Sequence, residues 1–149
     1  MKNLKSILIV VITFVSSAVF ANNDPVVNQK FETAFKKHFP ATAVQSWEND
    51  GNLTIAYFWE NKTKYKAYFD TDANLLATAR YIIADMLPIT VGRELAKRFG
   101  NFGNIGVLEV SKTNTDTFYY LKVPEKNKLK TIRVYPSGAF EIISEEKMN

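Results

Sequence analysis

Two stretches of the chain carry apolar residues at the spacing of an amphipathic helix. In the first stretch the apolar residues recur every four positions, at Val27, Phe31, Phe35 and Phe39. Polar residues fill the positions between them, so the pattern predicts a helix over residues 29–39 that buries one phenylalanine face. Pro40 is expected to end this helix, because proline cannot continue the hydrogen-bond pattern.

The second stretch, residues 87–99, has the same character. Its apolar positions are Ile89, Val91, Leu95 and Phe99. Pro88 suits the first turn of a helix and Gly100 suits the position just after its end. The pattern therefore predicts a second amphipathic helix in the middle of the chain.

After each helix, apolar and polar residues alternate as they do in β-strands. In residues 53–60 both sides carry apolar residues, so the side that faces the core stays open, and the Ala-rich run 75–82 fits either a strand or a helix. Clusters of Asn, Asp, Gly and Pro predict turns between the runs, and residues 145–149 are expected to fray. The predicted strands are 53–60, 64–69, 75–82, 105–111, 118–123, 129–135 and 139–144, and the predicted turns are 49–52, 61–63, 70–74, 113–116, 124–128 and 136–138.

The second helix marks the start of a predicted repeat. The positions Phe31, Phe35 and Phe39 correspond to Val91, Leu95 and Phe99 at a spacing of 60 residues, and the strands that follow correspond at 64 or 65. The sequence therefore predicts an α+β fold built from tandem helix-plus-antiparallel-strands repeats, at about residues 27–82 and 87–144. We expect one antiparallel sheet with the helices packed on one face.

The other face of this sheet is the candidate binding site. If the apolar residues of strands 64–69, 118–123 and 129–135 face the helices, the alternate residues face outward. Those proposed for binding are Lys64, Lys66, Tyr68, Phe118, Tyr120, Lys122, Arg133 and Tyr135. Aromatic residues interleaved with cations are favoured at protein interfaces. The alternative interpretation is ordinary cross-strand pairing on a solvated sheet.

Several short motifs resemble those of a known family. They are Phe35-Lys36-Lys37-His38-Phe39-Pro40, Tyr68-Phe69-Asp70, Leu87-Pro88, Tyr119-Tyr120-Leu121 and Tyr135-Pro136-Ser137-Gly138. Each half resembles the PepSY-like fold, and the pair resembles the β-lactamase-inhibitor-like, PepSY-like secreted proteins of Bacteroidetes. The resemblance spans residues 27–144 and implies a sheet with one open, often concave, face, which in the β-lactamase inhibitor grips a protein partner. That inhibitor has disulfides and this chain has no cysteine, so no contact residue or target is carried over.

The start of the chain predicts export. Lys2 and Lys5 precede a charge-free apolar run over residues 7–20, and Val19-Phe20-Ala21 supplies the small residues that a signal peptidase reads. We therefore expect a signal peptide at 1–21 and a periplasmic or secreted domain at 22–149. The apolar run of 14 residues is shorter than the roughly 20 that span a bilayer, so no transmembrane anchor is expected after cleavage. The exported domain must fold without disulfides.

Net charge and the few possible ligand residues limit which partners and cofactors we expect. The net charge of +4 falls to +2 when Lys2 and Lys5 are lost, and the cations are dispersed, so nucleic acid is not an expected partner. The run 70–74 resembles half of a calcium loop but has Leu75 and Tyr81 where such a loop needs Gly and Glu, so it is interpreted as a turn. His38, the only histidine, is interpreted as a solvated helix end. No catalytic residue, metal or cofactor is expected.

The leading functional hypothesis is a non-enzymatic binding module, inhibitor-like in kind, that captures an envelope or extracellular protein or peptide on the outward sheet face. The first alternative is a structural or accessory envelope protein that associates with itself through that face. The second is a small enzyme with acids and His38 in a pocket.

Overall fold

The computed structural model describes residues 27–100, 105–113 and 116–148, so the predicted signal peptide lies outside the described residues. The described chain contains two α-helices, eight β-strands and one short 3-10 helix at Ala84–Met86. Their bounds are α1 Gln29–His38, β1 Val44–Asp50, β2 Leu53–Glu60, β3 Thr63–Phe69, β4 Leu75–Ile83, α2 Ile89–Phe99, β5 Gly106–Lys112, β6 Thr117–Glu125, β7 Lys128–Val134 and β8 Phe140–Lys147.

The eight strands form one sheet in chain order, and each strand pairs antiparallel with the next. Two-residue turns connect several of them, and these turns need a left-handed backbone. Gly51, Asn61, Lys62 and Lys126 supply it with φ angles of 59°, 49°, 64° and 58°. The α+β class and the single antiparallel sheet are thus confirmed, and the Ala-rich run 75–82 is a strand. The tandem repeat stays a prediction.

The first helix packs its phenylalanine face on the first strands of the sheet. Phe35 is 1% exposed and contacts Phe58 edge to face, with 5.1 Å between the ring centroids. Phe39 packs on the same ring at 4.7 Å. The other buried members of this cluster are Ala56, Ala67 and Phe69. The predicted buried face of α1 is therefore confirmed. The same contacts show that Ala56 and Phe58 are the residues of β2 that face the helix.

The second helix covers the later strands on the same face of the sheet. Val91 and Leu95 are fully buried against Leu121, Ile132 and other strand residues. The prediction that Ile89 belongs to this stripe is wrong, since Ile89 is 77% exposed. Helix α2 starts at Ile89, and the buried position one turn before Val91 is taken by Leu87 in the preceding connection. The stripe thus keeps the four-residue spacing of α1.

Three other expectations about the strands need correction. Residues 124–128 are not all turn, because Pro124 and Glu125 belong to β6, and a positive φ at Lys126 closes the hairpin in two residues. The tail does not fray at 145, because β8 continues to Lys147. Lys128 of β7 forms an ion pair with Glu145 of β8, with 2.6 Å between Nζ and Oε2, and this contact holds the end of the strand. Strand β1 was not predicted at all.

Candidate binding face

The cross-strand register decides which residues share the face opposite the helices, here called the open face. Tyr68 pairs with Ile55 on one side and Ala77 on the other. Tyr120 pairs with Leu108 and with Arg133. By the same register, all eight residues proposed for binding lie on the open face, and their role in binding stays a prediction. They are Lys64, Lys66, Tyr68, Phe118, Tyr120, Lys122, Arg133 and Tyr135.

Strand residues alone build the floor of the open face in the described part of the chain. Its buried cluster consists of Ile55, Tyr68, Ala77, Ala79, Leu108, Val110 and Tyr120. Tyr68 and Tyr120 are 9% and 5% exposed although no described helix packs on them. Neighbouring side chains must therefore close over the two rings, as they do where a sheet curls towards one face. Burial also raises the pKa of Tyr68 well above its usual value.

A cation and tyrosine cluster lies on the first three strands of the open face. The ammonium groups of Lys64 and Lys66 lie 5.3 Å and 5.1 Å from the centroid of the Tyr57 ring. The hydroxyl of Tyr57 donates a hydrogen bond to Glu48. Burial and this bond to a carboxylate raise the pKa of Tyr57, whereas burial lowers the pKa of Lys66. The cluster is therefore partly shielded from water.

A second cluster of the same kind lies on the last strands. The Phe118 and Tyr135 rings contact edge to face at 5.5 Å, and the Arg133 guanidinium lies 5.7 Å and 5.6 Å from their centroids. The ammonium of Lys112 lies 5.2 Å from the Phe118 ring. Arg133 also forms an ion pair with Glu141, which accepts a hydrogen bond from Tyr135 at 3.1 Å. The buried Nε of Arg133 has no hydrogen-bond partner among the described residues.

Three large apolar residues of the open face are exposed, and sequence reasoning missed all three as site residues. Trp59, Tyr81 and Ile83 are 53%, 50% and 52% exposed. Trp59 pairs with Lys64 across β2 and β3, and Ile83 pairs with Gly106 across β4 and β5. The alternation of β4 puts Tyr81 on the same side as the small Ala77 and Ala79, which is the open face. Sequence reasoning did not use this signal because the Ala-rich run 75–82 also fitted a helix.

The charges of the open face are segregated by strand. The cations Lys64, Lys66, Lys112, Lys122 and Arg133 lie on the inner strands β3, β5, β6 and β7. The carboxylates that contact this face, Glu48, Glu141 and Glu146, lie on the edge strands β1 and β8. The cations therefore lie inside the sheet and the carboxylates lie on its edge strands, and two of the cations are paired across this boundary, Arg133 with Glu141 and Lys122 with Glu146.

A polar region lies on the helix face, on strands β3, β4 and β5. Arg80 donates to Glu109 at 2.6 Å and to the hydroxyl of Tyr65 at 3.2 Å. These residues line a shallow cavity of about 270 Å³ together with Thr78 and Ser111. The arginine already has its carboxylate, so the region is internally neutralised and is explained as a polar filling between the two helix-covered cores.

The remaining sequence candidates have structural explanations. Asp70 accepts hydrogen bonds from the backbone N–H groups of Asp72 and Asn74 at 2.9 Å and 2.8 Å, so the predicted turn is right. His38 lies exposed at the last residue of α1, beside the Phe39 ring. The described residues contain no group of three or more His, Asp or Glu side chains placed to hold a metal.

Comparison with solved structures confirms the predicted resemblance at the level of the fold. A protein from Bacteroides eggerthii with a provisional periplasmic assignment has a TM-score of 0.69 at 20% identity, with 83% of this chain and 90% of that chain covered. A DUF2874 family protein from Bacteroides ovatus scores 0.70 at 18% identity, covering 83% and 89%. A BLIP-like protein from Bacteroides fragilis scores 0.64 at 21% identity, covering 80% and 85%.

Sequence comparison adds no further assignment. No family model matches the chain, and no curated protein matches it. The helices in the described part of the chain are too short to cross a membrane.

Proposed function

We propose that this protein is an exported, non-enzymatic binding module that captures a protein or peptide partner on its open face. The observation that carries the proposal is the exposure of Tyr81 at the centre of a sheet face, among half-buried cations and rings. Side chains of this kind, large, stiff and partly desolvated before contact, are those that dominate binding energy at protein interfaces.

The fold comparison supports the cellular setting of this proposal. One protein of the same fold carries a provisional periplasmic assignment and another is described as BLIP-like. The predicted signal peptide at 1–21 agrees with a location outside the cytoplasm. The order of elements, a helix and four strands followed by a helix and four strands, likewise supports the proposal that the two halves are tandem repeats.

Self-association through the open face is the second candidate, and the charge pattern disfavours it. Two copies stacked face to face would bring the inner cations Lys66 and Lys112 of one copy towards those of the other. Like charges brought together in a desolvated interface destabilise it. An enzyme is disfavoured by the position of His38, which is exposed and hydrogen-bonds to no carboxylate within the described part of the chain.

The test is site-specific photocrosslinking in the cells that make the protein. A photoreactive phenylalanine replaces Tyr81 on the open face, and in a matched control it replaces the exposed Arg93 on α2. Because both positions are exposed, neither change should destabilise the fold. We expect discrete covalent adducts from position 81 that position 93 does not give.

The mass of the adduct separates the hypotheses. A second protein joined through position 81 supports the binding module, whereas an adduct of two copies of this chain supports self-association. The same adducts from positions 81 and 93, or none from position 81, would contradict the proposal that the open face captures a partner.

A further inference from the structure

The outward sides of the two helices, here called the helical surface, are basic. Six exposed cations lie on the helices, Lys30, Lys36, Lys37, Arg93, Lys97 and Arg98. Only two carboxylates, Glu32 and Glu94, lie among them, so the helices have a net charge of +4. The exported domain as a whole has +2, so all of its residues outside the helices together carry −2. The positive charge of the protein is thus concentrated on its helices.

Helical geometry points these cations away from the sheet. Successive residues of an α-helix are turned by about 100° about its axis. Lys37 lies two residues after the buried Phe35, so it is turned about 200° away from the sheet. Arg93 and Lys97 lie two residues before and after the buried Leu95, and they are turned away in the same manner. Because both helices pack on the same face of the sheet, their cations lie on one side of the protein.

Three of the six cations have no carboxylate partner in the described part of the chain. They are Lys36, Lys37 and Arg93. Lys97 forms an ion pair with Glu94 at 2.6 Å, but both side chains are exposed, and exposed pairs contribute little. An anionic surface that approaches the helices therefore meets cations whose charge the protein leaves uncompensated.

An exposed apolar residue lies beside these cations. Ile89, the first residue of α2, is 77% exposed, the highest value among the large apolar residues of the described chain. Residues four apart on a helix are neighbours, so Ile89 lies next to Arg93. In helices that lie on membranes, apolar side chains enter the headgroup boundary while Lys and Arg meet the anionic headgroups. The helical surface combines both kinds of side chain.

We propose that the helical surface binds an anionic lipid bilayer through the phosphate groups of its lipids. The inference goes beyond the proposed function, because it concerns the side of the sheet opposite the open face. Its main support is charge complementarity, since an anionic leaflet attracts dispersed Lys and Arg residues without requiring a shaped site. A protein partner fits less well, because the outward line of α1 consists of Lys30, Thr33 and Lys37 and has no apolar anchor. Docking in this way leaves the open face directed away from the bilayer.

The experiment is co-sedimentation of the protein in its exported form, residues 22–149, with lipid vesicles. One set of vesicles is an equimolar mixture of phosphatidylglycerol and phosphatidylcholine, and the neutral reference is phosphatidylcholine alone. Binding is measured in about 0.1 M and about 1 M salt, between which the Debye length falls from about 10 Å to about 3 Å. The variants are Lys37→Glu on α1 and Arg93→Glu on α2, and the matched control is Lys62→Glu in the exposed turn between β2 and β3. Circular dichroism establishes that each variant folds.

Each Lys or Arg near an anionic membrane contributes about a fivefold gain in binding. We expect the protein to bind the mixed vesicles at least tenfold more strongly than the neutral ones at the lower salt, and to lose this preference at the higher salt. Lys37→Glu and Arg93→Glu should each weaken binding at least fivefold, and Lys62→Glu should change it less than twofold. Ile89→Ser should weaken binding at least threefold and leave its salt dependence unchanged.

Three results would overturn the inference: no binding to the mixed vesicles, equal binding to the neutral vesicles, or equal weakening by Lys62→Glu and Lys37→Glu. Unchanged binding of Ile89→Ser would overturn the role given to that side chain. Fluorophore-labelled poly-glutamate tests the alternative of an acidic protein partner. If poly-glutamate binds, Lys37→Glu weakens that binding and the vesicles do not bind, the helical surface meets an acidic protein and the inference is wrong. The proposed function fails separately, because crosslinking from position 81 reports on the open face alone.

Discussion

The contact between Gly138 and α2 gives a direct test of how the second helix is held on the sheet. Gly138 lies in the turn between β7 and β8 with φ of 88°. A Cβ built on it would lie 2.8 Å from Cγ and 3.1 Å from Cβ of Glu94. Carbon atoms in van der Waals contact are normally about 3.5–4.0 Å apart. Gly138→Ala therefore strains the backbone and pushes the turn away from the helix.

The expected cost follows from two separable effects. A left-handed backbone at a residue with a Cβ costs about 1–2 kcal/mol, and overpacking costs about 1–3 kcal/mol. The lower entropy of the unfolded alanine chain offsets about 0.4–1 kcal/mol. We expect Gly138→Ala to lower the free energy of unfolding by about 2–4 kcal/mol. Gly51→Ala is the matched control, because Gly51 has φ of 59° with no atom within 4 Å and so carries the backbone cost alone.

The assay is urea unfolding followed by circular dichroism. Gly51→Ala should cost about 1 kcal/mol. The double variant Gly138→Ala with Glu94→Ala removes the Cγ contact and should recover about 1 kcal/mol relative to Gly138→Ala with Glu94 intact. Equal costs at Gly138 and Gly51, together with no recovery in the double variant, would refute the close packing of this turn on α2.

Two further predictions concern charged groups. Asp70→Ala should lower the urea midpoint at pH 6 and have little effect near pH 2. Burial acts to raise the pKa of Asp70, but the hydrogen bonds from Asn74 and Asp72 and the charge of Lys30 together outweigh it and lower the pKa. The stabilisation is thus present above the unfolded pKa of about 3.9 and lost as pH falls through the folded one, and an equal loss at both pH values would contradict it. Glu109→Gln should cost about 1–3 kcal/mol by urea unfolding, because it weakens the ion pair with the half-buried Arg80. Glu94→Gln on exposed α2 should cost less than about 0.5 kcal/mol, and similar costs for the two would refute the distinction.

The helices and most strands could be predicted because their patterns are local. The four-residue spacing of Phe31, Phe35 and Phe39 defines one buried stripe, and the structure buries that stripe. Ile89 shows the limit of the same reasoning. It lies two residues before Val91, which is about 200° around a helix, so its side chain faces away from the buried stripe because the helix already includes Ile89. The turn at 124–128 was predicted too long because composition does not show that Lys126 adopts a positive φ.

The sheet face that carries the candidate site could be predicted from the sequence, but the exposure of its residues could not. Alternation along β3 and β6 identified the face on which Tyr68 and Tyr120 lie, yet both rings are nearly buried. Tyr81, which sequence reasoning did not select, is 50% exposed. Exposure depends on how far neighbouring strands curl towards each other and on the size of side chains two strands away. The alternation pattern of a single strand contains neither piece of information.

The sequence by itself determined the class of fold, the facing of most strands and the absence of disulfides, because these depend on periodicity and on residue types that a reader can count. Only the tertiary structure decided which residues of the open face are exposed and which carboxylates its cations meet. Both depend on the register across neighbouring strands. Tyr120 is nearly buried while Tyr81 on the same face is half-exposed, and Arg133 meets Glu141 because β7 and β8 pair in that register.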